Sequence, residues 1–91
     1  MNKHVELLGA PINYAVVQLP DRKFPGVVFQ GDSLHSLFIQ IKETSEILQS
    51  GQVENAMVEL NDMRDHLKEV LDYFEKICEE KQVALPYPSE S

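Results

Sequence analysis

The chain has 91 residues, 8 basic and 15 acidic side chains, a formal net charge of −7 and one cysteine. That length suits one small core, and a single cysteine excludes an internal disulfide and a multi-cysteine zinc site. So acidic a chain repels nucleic acid.

No apolar run approaches the roughly 18 residues of a membrane span, and MNKHVELLGAP is too short in its apolar part for a signal peptide. The chain is therefore expected to be soluble and cytoplasmic. The charge is unevenly placed. Residues 1–30 carry three basic and two acidic side chains (+1), and residues 31–91 carry five and thirteen (−8).

In chain order, His4 to Leu8 reads as a first strand, ended by a turn at Gly9, Ala10 and Pro11. Tyr14 to Leu19 is the strongest strand, and its apolar residues on both sides predict a central position. The loop PDRKFPG leads to a third strand at 27–30. A three-stranded antiparallel meander is the simplest arrangement.

The stretch Phe24 to Leu48 reads without interruption as turn, strand, corner and helix, and the rest of the chain is expected to pack on it. Gly31 is expected to bend the chain, with Asp32 or Ser33 capping a helix over 33–50 that Gly51 ends. Leu34, Leu37, Phe38, Ile41 and Leu48 form its apolar stripe. Ile39 and Ile47 point elsewhere and are candidates for contact with a partner protein.

A second helix over 52–81 carries Val53, Ala56, Leu60, Met63, Leu67, Val70, Phe74 and Ile77 at alternating spacings of three and four, the heptad rhythm of a helix lying along another helix. At 1.5 Å per residue it spans roughly 45 Å against roughly 27 Å for the first. The overhang, with Leu67, Val70, Leu71, Phe74, Ile77 and Cys78, needs cover from the sheet or from another chain. Homodimerisation through those residues is the expectation. LPYPSES ends the chain, and residues 86–91 are expected to form a flexible tail.

The expected fold is thus a single α+β domain over 1–85: a three-stranded antiparallel meander followed by a two-helix hairpin with a long second helix. Chemistry is scarcely represented. There is no GxGxxG and no P-loop, and Ser33, Ser36 and Ser45 lack a nucleophile context. Asp62 and His66 share a helix side, an arrangement that suits a solvated polar face. No enzyme, cofactor or metal site is expected. Lys and Arg are too dispersed for a nucleic-acid footprint.

YAVVQLP and, three residues later, FPGVVFQGDSLHSLFIQIKETSEIL together resemble the HicB-type antitoxin domain of bacterial toxin–antitoxin pairs. Pro25, Gly26, Gln30, Gly31, Asp32, Ser33 and Leu34 carry the match, which covers residues 14–48. The resemblance implies a truncated ribonuclease-H-like βββα unit without catalytic carboxylates, acting by binding a small basic ribonuclease. The chain departs from that family in a longer PDRKFPG turn and in His35-Ser36 where an acidic pair is customary. Leu37 replaces an alanine, and a long second helix stands in place of a DNA-binding domain. As residues, Pro25, Gly26, Gly31, Asp32 and Ser33 read as a structural corner. The function expected is a non-enzymatic protein-binding module, an antitoxin or immunity-type inhibitor of a basic partner. The alternative is a self-associating structural or adaptor protein.

Overall fold

A computed structural model describes residues 4–9 and 14–89. The element order is β1 (Glu6–Leu8), β2 (Ala15–Gln18), β3 (Gly26–Val28), α1 (Gly31–Gln49) and α2 (Val53–Glu80). The strands form an antiparallel sheet in the order β1-β2-β3, with β2 central. The α+β class, the meander and the unequal helices match the pattern expected. Of the turn expected after β1, Ala10 and Pro11 lie outside the described residues.

The chain divides into two compact units. One comprises residues 1–29 and 70–91, the sheet with the end of α2 and the C-terminal segment. The other is Gln30–Glu69, α1 with the first part of α2.

In the sheet unit, Leu8 lies opposite Val16 and Val16 opposite Val27, so the three project on one face. Leu8 and Val16 are buried in a cluster with Phe74, Ile77 and Cys78. The apolar face of the sheet is therefore filled by the last turns of α2. Tyr14 and Phe29 meet edge to face, with ring centroids 5.4 Å apart. Between β2 and β3 the chain reverses at Leu19–Arg22, where Pro20 fixes one φ and Asp21 takes a φ of 65°. The Gln18 side chain donates to Arg22 O at 2.7 Å and holds that loop.

Both helices end in the same device. After α1, Gly51 takes a φ of 88°, its N–H donates to Leu48 O and Gln52 N–H donates to Ile47 O. After α2, Gln82 takes a φ of 56°, its N–H donates to Glu79 O and Val83 N–H donates to Cys78 O. Each pair of bonds is a Schellman motif, which satisfies carbonyls the helix leaves open and turns the chain sharply. The second turn sends Val83, Leu85 and Tyr87 back onto the sheet unit's core. Tyr87 stacks on Phe74 at 6.5 Å. Its hydroxyl donates to Glu75 Oε2 at 3.2 Å, and Ser89 donates to Glu75 Oε1 at 3.0 Å. The tail expected to be loose from residue 86 is docked through Ser89. Glu90 and Ser91 lie outside the described residues.

The corner before α1 also differs from its expectation. The helix begins at Gly31 with Gln30 as N-cap and no side-chain capping bond; Leu34 N–H donates to Gln30 O. Asp32 lies inside the first turn, where its Oδ1 accepts the Ser33 N–H at 2.8 Å and its charge suits the helix dipole. Gly31 has no positive φ, and no atom lies within 4 Å of a Cβ placed on it. Gly31→Ala should therefore stabilise the chain by about 0.5 kcal/mol, through lost freedom of the unfolded state. A lower melting temperature for that variant would restore the bend reading. Pro25 is buried and Gly26 opens β3, so these two belong to the sheet unit.

Candidate protein-binding surface

In the hairpin unit the inner lines of the two helices mix polar and small residues with Leu37, Ile47 and Met63. On α1 the inner line is Leu37, Gln40, Thr44 and Ile47, half-buried except for the buried Thr44. Thr44 Oγ1 donates to Gln40 O at 2.7 Å within the helix, which gives the buried residue's hydroxyl a partner. On α2 the inner line is Ala56, Glu59, Met63 and His66, with Ala56 and Met63 buried. Gln40 Nε2 donates to Glu59 Oε2 at 3.1 Å and ties the lines together.

The large apolar residues lie about a quarter-turn to one side. On α1 they are Leu34, Phe38, Ile41 and Leu48, and on α2 they are Val53, Met57, Leu60 and Leu67. All eight remain 40–59% exposed. The apolar stripe of α1 is thus open, and only Leu37 of that set turns inward. Ile39 and Ile47, the candidate partner contacts, are half-buried.

The heptad seam of α2 is split in the same way. Ala56 and Met63 are buried, whereas Val53, Leu60 and Leu67, the alternate positions, are exposed. A two-helix seam packs both of its positions on the one partner, whereas here only the Ala56 and Met63 line is covered and the Val53, Leu60 and Leu67 line stays open. Between the open stripes lies a groove of about 480 Å³ lined by Ile41, Thr44, Ser45, Leu48, Leu60, Met63, Arg64 and Leu67. Of these described residues Arg64 alone is charged, and its guanidinium pairs with Asp65 at 3.0 Å.

The residues expected to carry self-association divide between the units. Val70, Phe74, Ile77 and Cys78 are 1–5% exposed. They are sealed by their own chain because the sheet supplies Leu8 and Val16 and the turn at Gln82 returns Val83, Leu85 and Tyr87. Leu67 and Leu71 stay exposed, at 40 and 42%. Four of the six overhang residues thus have cover, and the larger open apolar surface lies on the hairpin. The sheet's far face is a smaller apolar area, where Leu7 and Val28 are exposed around the buried Val17.

Chemistry-bearing groups are not gathered. Among the described residues no three His, Cys, Asp or Glu side chains are placed to hold a metal ion. Asp62 and His66 line a shallow depression with Ser33, Ser36, Leu37 and Gln40. Among the described residues no helix is long and apolar enough to cross a membrane.

Cys78 is a core residue. Burial pushes its thiol above the ordinary range, and the nearby Glu75 charge adds to the shift. Tyr87 is raised by burial, then by its hydrogen bond to Glu75 and the charges of Glu75 and Cys78. The folded state holds both protons more tightly than the unfolded one. Their contribution is present below the unfolded pKa values and is lost as pH rises through the folded ones, so melting temperature should fall from about pH 9 upward. A melting temperature that stays level into strong alkali would contradict this.

Fold and surface together define a small α+β protein with a sheet unit of closed core and a helical hairpin bearing an open apolar groove. The chain belongs to a family of unknown function, DUF6959, whose model matches residues 1–87. No curated protein and no solved structure matches it significantly.

Proposed function

We propose that the protein is a non-catalytic protein-binding module whose helical hairpin supplies the contact surface. One observation carries the reading: eight large apolar side chains stand 40–59% exposed in two stripes, one on each helix of the hairpin. Exposed apolar residues scattered singly are ordinary, whereas eight gathered in two neighbouring rows mark an interaction site. Burying each such side chain fully is worth about 1.5–3 kcal/mol, so water is a poor final environment for them.

A cytoplasmic setting goes with this reading, since the one thiol is unpaired and buried and needs no oxidising compartment. A second reading, an antitoxin-type inhibitor of a basic protein, is favoured by the acidic surface and by the HicB-type resemblance at residues 14–48. Residues 30–69 hold eight acidic and three basic side chains, a net of −5. In that case binding should weaken steeply as salt rises.

The test is photo-crosslinking in the cell of origin, with a benzophenone amino acid replacing Phe38 on the stripe or Glu43 on the opposite side of α1. A discrete protein adduct from position 38 and none from position 43 is expected. No adduct of any kind from position 38, from this chain or another, would overturn the binding role.

A further inference from the structure

We propose that the groove of the hairpin is covered by the same groove of a second copy, two hairpins closing into a four-helix bundle. This rests on the reading of the hairpin as a binding surface and names its occupant.

The two stripes are matched in length and rhythm. On α1 the positions are 34, 38, 41, 45 and 48, and on α2 they are 53, 57, 60, 64 and 67, each a run of alternating fours and threes. Each covers about 21 Å of helix. Two such stripes on each copy make the four equal rows of a bundle core, the self-complementary patch that a two-fold interface requires. A single extended or helical peptide would fill the groove and leave the outer flanks of both stripes in water.

The area agrees. Eight side chains about half exposed offer on the order of 800 Å² per copy, close to what each partner buries in a standard protein interface.

Charge chooses between a copy and a basic protein. Off the groove the hairpin carries eight acidic and two basic side chains, a net of −6, while the described lining includes no carboxylate and one cation, Arg64. A groove shaped for a basic segment would place acids where that segment lies. Arg64 already pairs with Asp65, and its long stem lets the charged head stay at the rim while the groove closes.

These charges also set the sign of the salt effect. Two hairpins of −5 repel, and salt screens that repulsion while leaving the apolar contact intact or stronger. Self-association should therefore tighten as salt rises, opposite to the binding of a basic partner.

The experiment is sedimentation equilibrium of the full chain from low to high micromolar, at low and at high sodium chloride, for the wild type, Leu60→Glu and Ile41→Glu. A reversible monomer–dimer equilibrium that tightens with salt is expected. Each variant should weaken it by at least about a hundred-fold, because two-fold symmetry buries the new carboxylate twice. Both side chains are exposed in the single copy, so far-UV circular dichroism should be unchanged, and two variants on different helices guard against one misfolding. A wild type that is monomeric throughout would overturn the second copy as occupant, and an adduct of another protein at position 38 would then leave the binding role standing. A dimer that survives both substitutions, or one that loosens as salt rises, would overturn it equally.

Discussion

Phe74→Ala is expected to destabilise the sheet unit by about 3–5 kcal/mol, whereas Leu71→Ala, one helical turn away, should cost less than about 1 kcal/mol. Phe74 is 4% exposed, stacks on Tyr87 and contacts a cluster with Leu8, Val16, Ile77 and Cys78. Removing its ring opens a cavity bounded by the sheet, the helix and the returning chain, and none of the three can shift alone to fill it. Folded proteins hold only about 5–15 kcal/mol in total, so this one change should leave much of the sheet unit open at room temperature. Leu71 is already 42% exposed and has less contact to lose. The rate at which a thiol reagent labels Cys78, buried and kept protonated, reads the opening directly. Equal labelling rates in the two variants would mean that the end of α2 is not sealed by its own chain.

Gly9→Ala should cost about 2 kcal/mol, against about 1 kcal/mol for Gly51→Ala. Both glycines sit at positive φ, 77° and 88°, where a Cβ is strained. They differ in surroundings. A Cβ on Gly9 would lie 2.7 Å from Ile77 Cδ1, and a Cβ on Gly51 meets nothing within 4 Å. Valine at position 77 lacks the Cδ1 atom, so Ile77→Val, which alone costs about 0.5–1.5 kcal/mol, should cost less in the Gly9→Ala background. Urea titrations of the four species measure the coupling. Additive losses would place the whole cost of Gly9→Ala in its backbone.

The elements of this fold are legible where the chain is punctuated. Gly51 marks the end of α1 because left-handed residues at helix ends are usually glycine, and YAVVQL announces a central strand by being apolar on both sides. The heptad rhythm of α2 states that it has neighbours but not on which side they stand. Leu60 and Met63 are equivalent in the pattern, yet one is open and the other closed, because the covering face of α1 centres on Gln40, bonded to Glu59, and the buried Thr44, polar residues between Leu37 and Ile47 that break the hydrophobic signal there. The corner at Gly31 misleads for a related reason, since a glycine beside Asp and Ser looks like a bend and a cap but enters the helix directly. The return of the chain after α2 turns on Gln82, a residue type that gives no hint of a left-handed φ. A signal was nevertheless present: Val83, Leu85 and Tyr87 alternate with Ala84 and Pro86, a period of two that puts three apolar groups on one side. The proline-rich ending obscures it.

The partition of α2 into a stretch closed by its own chain and a stretch left for a second copy is most directly tested by amide hydrogen exchange of the intact protein at low and high protein concentration. Protection should rise with concentration in peptides from residues 31–69 and stay constant in those from 70–87. A concentration-dependent gain centred on Val70 to Cys78, or no gain in the hairpin at any concentration, would contradict it.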